Sequence, residues 1–305
     1  MNLHIRSFTP LLAGLLVVTS AGAALAEEPL TVNDVDGNEV VIEDTSNVAT
    51  LGGVFTETVY ALGAEDHIGA IDASSFYPPE ALGEKPNFGY YRFLSAEPVL
   101  AQDPSLIIGN EETGPAEVVQ QLRDAGVPIL LLPDNNDVQA ARDLISTLGT
   151  IFDREAEAEA LIEQLDADVA EAEALVAQAT SSPAVLFVLQ PPGAPMLVSG
   201  EISAAGSMIS LAGGDHVFPG FPGYLPMTPE GIVSAAPEVI LTTDASIERL
   251  GGWDAFLEHP GVGQTPAAAN DRVYAMEDLY LMGFGPRTGQ AIADLALLLH
   301  PELAP

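Results

Sequence analysis

The chain has 305 residues, 44 acidic against 9 basic side chains for a formal net charge of −35, no cysteine, and 48% hydrophobic residues. A surface this negative repels phosphate and excludes double-stranded nucleic acid as a partner. The missing thiols exclude disulfide scaffolds, thiol catalysis and cysteine-ligated clusters, while the apolar fraction is that of a chain that folds.

In chain order, the first predicted element is a cleavable signal peptide, residues 1–26. His4 and Arg6 give a mildly basic start and Leu11 to Val18 a short apolar run; Ala24-Leu25-Ala26 supplies the small-x-small pattern of a signal peptidase site. The apolar run falls well short of the ~20 residues needed to span a membrane. No cysteine follows the cleavage point to carry a lipid. The expected product is a free periplasmic protein, secreted and not a lipoprotein.

An internal repeat organises the remainder of the chain. Leu94-Ser95-Ala96-Glu97 leads to Pro104 and the apolar run Leu106-Ile107-Ile108, and Met227-Thr228-Pro229-Glu230 leads to Pro237 and Val239-Ile240-Leu241. Each copy reads as a hydroxyl N-cap, a short helix, a proline that stops it, and a buried strand. A weaker pair joins Leu62 to Ile68 with Leu211 to Val217, with His67 and His216 at matching positions. That equivalence makes both histidines structural residues at helix ends. The first copy carries extra residues in Phe76 to Phe93, an aromatic loop and a natural place for ligand contacts.

Between the copies, residues 151–180 hold no glycine or proline and keep apolar positions at helical spacing, from Ala158 through Leu161, Leu165 and Val169 to Ala172. A continuous helix there would be about 30 residues and ~45 Å long. Such a length suits a spine joining two lobes. The expected architecture is α/β: an N-terminal lobe over 27–150, a connecting helix over 151–180 and a C-terminal lobe over 181–305. Each lobe is Rossmann-like, and the ligand cleft lies between them.

The run Gly283-Phe284-Gly285-Pro286-Arg287-Thr288-Gly289 lies too near the chain end for a nucleotide-binding unit. It reads as the turn opening a last helix, Thr288 to Leu299, whose start beside Arg287 can hold a carboxylate. No nucleophile elbow, H-E-x-x-H or phosphate-binding loop occurs. With His259 before a Pro-Gly turn and His300 near the C-terminus, a histidine-built metal site is poorly supported. Tyrosine remains: Gly89-Tyr90-Tyr91-Arg92 sits in the inserted loop. A phenolate suits ferric iron and serves as a haem axial ligand, and a neighbouring arginine favours the ionised phenol or pairs with a ligand carboxylate. Aromatic packing alone is the competing reading of these tyrosines.

Gly89-Tyr90-Tyr91-Arg92-Phe93-Leu94-Ser95-Ala96-Glu97 resembles the G-Y-M-R-x-L-S-A-E signature of periplasmic haem-binding proteins of ABC importers, within the helical-backbone class of substrate-binding proteins. Gly223-Tyr224-Leu225-Pro226-Met227-Thr228-Pro229-Glu230 is similar to that family's G-Y-K-P-L-S-x-E. The resemblance implies a receptor that holds haem (hemin) in the cleft as transported ligand and delivers it to an inner-membrane ABC permease and its ATPase. It implies Tyr90 as the axial ligand of the iron, Arg92 beside the phenolate, and Glu97 and Glu230 as carboxylates that dock on the permease. Tyr91 stands where the family has methionine, so the chain offers two adjacent phenols, and alignment favours Tyr90. Leu225 replaces a lysine, so the propionates must find backbone donors, Arg287 or solvent. Tyr224 is a plausible partner facing the cleft, and Tyr224 or His216 could supply a second iron ligand. The alternatives are a ferric-siderophore or cobalamin-like receptor on the same fold, or a periplasmic haem- or metal-dependent enzyme. No paired acid and base groups form a convincing catalytic site, so no enzymatic activity is expected, and the protein is expected to be a monomer.

Overall fold

The structure is a computed structural model describing residues 29–134, 136–191 and 193–304. The expected signal peptide lies outside the described residues. A hairpin of β1 (Leu30–Asn33) and β2 (Glu39–Ile42) precedes the N-terminal lobe. The lobe then runs β3 (Val48–Leu51), α1 (Gly53–Ala61), β4 (Ile68–Ile71), α2 (Pro79–Glu84) and α3 (Ala96–Ala101). It continues with β5 (Leu106–Asn110), α4 (Ala116–Asp124), β6 (Ile129–Leu132) and α5 (Val138–Ile151). Its sheet is parallel in the order β4-β3-β5-β6.

A parallel sheet must be covered on both faces, so its strands read as unbroken apolar runs. In β5, Leu106 and Ile108 enter the core shared with the rest of the molecule, while Ile107 faces a second cluster with Leu51, Tyr91, Leu94 and Val99. The inserted stretch 76–93 carries α2 and returns as an extra edge beside β4. The Ile71 N–H donates to the Pro86 carbonyl at 2.9 Å, and the Phe88 N–H to the Ile71 carbonyl at 3.0 Å.

The connector is α6 (Glu155–Val176), 22 residues and so ~33 Å long. This corrects the expected 30-residue helix over 151–180. Phe152 to Arg154 break it from α5, with Asp153 in the left-handed region at φ 52°. Ala158, Leu165, Val169 and Ala172 bury one stripe of α6. A Cβ on Gly149 would lie 2.5 Å from the Ala158 side chain, so the α5–α6 contact depends on a residue with none.

The C-terminal lobe runs β7 (Ala184–Leu189), β8 (Leu197–Ser199), α7 (Ala204–Leu211), β9 (Asp215–His216) and β10 (Tyr224–Pro226). Then come α8 (Pro229–Ala235), β11 (Val239–Thr243), α9 (Asp244–Leu250), α10 (Trp253–Glu258) and α11 (Pro266–Ala269). The chain closes with β12 (Val273–Met276), α12 (Asp278–Met282) and α13 (Thr288–Leu299). The sheet order is β10-β8-β7-β11-β12 with β9 also on β7; β8 and β10 are antiparallel additions to a parallel centre. The last helix spans the residues read from sequence. It lies tight on α6, where a Cβ on Gly289 would meet the Val169 nitrogen at 2.6 Å. Leu165 and Val169 of α6, Phe187 of β7 and Leu295 of α13 join Val48 and Ile108 in one core that runs through the connector. No described helix is long and apolar enough to cross a membrane.

Candidate ligand site at the strand ends

In open α/β sheets, ligands bind outside the carboxyl ends of the strands. The polar residues of the N-terminal lobe gather there: Asp72 just after β4, Gly52 after β3, Asn110 closing β5 and Asp134 after β6. Asp72 is the organiser. It is fully buried, and its Oδ1 accepts from the Gly52 N–H at 3.0 Å and the Ser74 hydroxyl at 2.9 Å. Its Oδ2 accepts from the Ser74 N–H at 3.0 Å and the Tyr91 N–H at 3.3 Å. One carboxylate thus ties the tyrosine segment to the ends of β3 and β4.

The two adjacent phenols have different surroundings. Tyr90 is 41% exposed, whereas Tyr91 is 8% exposed and packed in the second cluster of the lobe. Tyr91 starts a single 3-10 turn, Tyr91–Phe93, with Tyr90 in extended backbone just before it. The Tyr90 ring lies 4.8 Å from that of Tyr91 and 6.0 Å from that of Phe93, which is 77% exposed. The Arg92 guanidinium stands over both phenol rings, at 5.9 Å from Tyr90 and 5.5 Å from Tyr91. Its Nε donates to the Tyr91 hydroxyl at 3.2 Å, and its Nη2 pairs with Glu112. Burial pushes the Tyr91 phenol well above its ordinary value, despite the counteracting arginine. Tyr91, expected as a second phenol for the ligand, is packed in the lobe with its hydroxyl bonded to Arg92.

Tyr224 approaches from the other lobe. Its ring lies 6.2 Å from that of Phe187, and its hydroxyl points at Met282 Sδ, 3.6 Å away. Burial pushes its phenol up to about 12. His216 Nδ1 accepts the Phe218 N–H at 3.1 Å, which places the proton on Nε2, 2.8 Å from the Ser199 hydroxyl. With both nitrogens engaged and burial lowering its pKa, it is a neutral structural residue. His67 bonds Thr45 and packs on Phe152. Among the described residues no group of three or more His, Asp or Glu side chains is placed to hold a metal ion.

Arg287, expected near a ligand carboxylate, pairs with a carboxylate of the protein itself. Nε and Nη2 donate to Glu57 of α1 at 2.7 and 2.9 Å, and the guanidinium stacks 3.8 Å over Tyr77 and 4.9 Å over Tyr280. Asp72, Glu57 and Asn110 were not singled out from sequence. An acid directly after an apolar strand, as in Ile71-Asp72, was the one local signal available.

Glu97 and Glu230 are both exposed in the first turns of α3 and α8. Thr228 caps α8 by accepting from the Gly231 N–H at 3.1 Å, whereas Ser95 makes no such bond at α3.

Burial raises the carboxyls of Glu57, Asp72, Asp134 and Asp278 above the usual range; exposed Asp44 shifts the other way. Where the folded-state pKa is raised, the folded state holds more protons than the unfolded chain. The stability these four contribute is complete below the unfolded value of about 4 and is lost as pH rises through their folded values. A melting temperature a few degrees higher at about pH 5 than at about pH 7 is expected in calorimetry. An unchanged or lower value at the acid end would contradict it.

Against known sequences, residues 48–279 match the periplasmic binding protein family. The chain belongs to this family. Among solved structures, this binding protein is similar to the periplasmic heme-binding protein RhuT from Roseiflexus sp. RS-1, with 36% identity and a TM-score of 0.80 over 86% of this chain and 100% of that one. It is also similar to the periplasmic heme-binding protein BhuT in complex with two hemes, with 35% identity and a TM-score of 0.77 over 85% and 99% of the two chains. Among characterised sequences it is 25% identical over 264 residues to the vitamin B12-binding protein of Vibrio parahaemolyticus, 83% of this chain and 89% of that one. The two-lobed α/β architecture expected from sequence is the fold of these structural neighbours.

Proposed function

We propose that this binding protein captures haem in the cleft between its lobes and delivers it in the periplasm to an inner-membrane ABC permease and its ATPase, with residues 1–26 as its leader. Tyr90 carries the reading. Tyr90 is solvent-accessible at the strand ends and a guanidinium stands over its ring. The phenolate is the iron ligand, Arg92 supports its charge, and exposed aromatic surface at Phe93 meets the porphyrin. Burial of that apolar face supplies the driving force, since a chain of net −35 gains nothing at long range from a ligand with two carboxylates. Glu97 and Glu230, one per lobe, are the docking carboxylates.

The similarity to a vitamin B12-binding protein favours a corrinoid as the second reading. A corrinoid holds cobalt within its own ring and uses no protein phenolate for recognition. Titration of the protein with ferric haem, and separately with cyanocobalamin, decides between them. Saturable haem binding with a phenolate-type ferric spectrum and no cobalamin binding is expected; the converse selects the corrinoid. Replacing Glu97 and Glu230 together with Ala should leave haem binding intact and abolish uptake in reconstituted vesicles. Loss of haem binding in that variant would remove the docking assignment.

A further inference from the structure

Haem presents three things to a receptor: a flat apolar ring, an iron and two carboxylates. The site supplies exposed aromatic surface for the first and the Tyr90 phenol for the second. For the third, Arg92 is the guanidinium beside Tyr90, and it is already engaged. Its Nη2 pairs with Glu112 while its Nε donates to the buried Tyr91 hydroxyl.

The Glu112 contact is built into the fold. Glu112 leaves the carboxyl end of β5, where its N–H donates to Asn110 Oδ1 at 3.1 Å. Asn110, 6% exposed, is held in turn: its N–H donates to the Thr113 hydroxyl at 3.2 Å and its amide to Asp134 at 3.3 Å. The Gly114 N–H donates to the Tyr91 carbonyl at 3.0 Å, and the Leu94 N–H to the Gly114 carbonyl at 2.9 Å. The loop that carries Glu112 and the segment that carries Tyr90 and Arg92 are one hydrogen-bonded unit. The two charged side chains are 42% and 41% exposed, so a ligand can reach the guanidinium.

We propose that Glu112 is a specificity-determining residue that occupies Arg92 against the ligand's carboxylates, so that the site selects haem by ring and iron and is indifferent to the propionates. The inference rests on the haem reading above. With Nε on Tyr91 and Nη2 on Glu112, Arg92 has no free pair of parallel donors for a bidentate grip. A propionate must therefore displace Glu112 or take the remaining donors beside it, and like charges at contact distance repel. Left with Glu112, the guanidinium keeps its place over the Tyr90 and Tyr91 rings and its bond to Tyr91.

The test compares ferric haem with haem dimethyl ester, which has the same ring and iron but no free carboxylates. The wild type should bind the two with dissociation constants within about threefold of each other. In Glu112→Gln, which keeps the shape and removes the charge, the preference for haem over the diester should rise about tenfold, and adding Arg92→Gln should cancel that rise. A wild type that already prefers haem tenfold overturns the proposal, because Arg92 would then be gripping a propionate. A Glu112→Gln ratio equal to wild type also overturns it, including the case in which both ligands weaken together, as loss of a loop contact alone would do. Failure of the underlying haem reading looks different: the wild type then binds neither porphyrin.

Discussion

Tyr90→Phe is expected to lower haem affinity at least about 100-fold, close to 3 kcal/mol, and to remove the phenolate-type ferric spectrum. Tyr91→Phe is expected to keep both. The difference follows from the two environments. Ligation needs an ionised phenol that can reach the iron. Tyr90 is 41% exposed, with a guanidinium over its face. Tyr91 is buried among Leu94, Val99 and Ile107, with its phenol pushed far from ionisation. What Tyr91→Phe should change is stability, by about 1–3 kcal/mol, because the Arg92 Nε then loses its acceptor in a half-buried place. Absorption titration and urea denaturation of both variants read the two effects separately. Spectral loss in Tyr91→Phe with retention in Tyr90→Phe would exchange the roles of the two phenols.

The choice between these adjacent tyrosines was not legible in the sequence from local pattern. Neighbouring residues alternate faces in a strand, but Tyr90 is the last extended residue before a tight turn at Tyr91. The side that each ring takes is set by Asp72, 19 positions away, which holds the Tyr91 N–H. Local signals elsewhere carried through. Thr288 to Leu299 formed the helix that the Gly-Pro-Arg turn announces, and Pro104 and Pro237 each preceded a buried strand. His67 ends a helical turn as expected, whereas His216 lies in β9 rather than at a helix end, and each is bonded within its own lobe. Misreadings arose where a distant partner or a backbone excursion decides. The spine read as one 30-residue helix because Ile151 to Arg154 contain no helix breaker by type, yet Asp153 turns left-handed and starts α6 afresh. The partner of Arg287, Glu57, lies 230 positions earlier and left no local signal. Composition hid the same fact: with 44 acidic and 9 basic residues, an unclaimed arginine is the exception.

That Arg287–Glu57 pair carries the largest stability effect expected outside the hydrophobic core. Arg287→Met should cost about 3–5 kcal/mol at neutral pH, the range for breaking a buried ion pair by removing one partner. In a chain of this size that lowers the melting temperature by roughly 6–15 °C. Glu57 is 4% exposed, so without the guanidinium its charge has neither solvent nor partner. Burial already raises its pKa even with Arg287 in place, and removing the arginine, which lowers it, raises it further. A raised folded-state value means the deficit is greatest at neutral pH and shrinks as the solution is acidified and Glu57 takes up a proton. The paired replacement Glu57→Leu with Arg287→Met should recover most of the loss, since well-packed apolar side chains commonly match a buried pair. Denaturation of the three proteins at about pH 7 and about pH 5 decides it. A loss under about 1 kcal/mol at neutral pH, or a deficit that grows on acidification, would show that the pair is not a buried contact. The consequence reaches the ligand site. Arg287 lies 3.8 Å over Tyr77, in the same inserted stretch that carries Tyr90, so one guanidinium fastens the last helix, α1 and the ligand loop together. Haem affinity in Arg287→Met should therefore fall, and it should return with stability in the double replacement only as far as the Tyr77 loop is held in place.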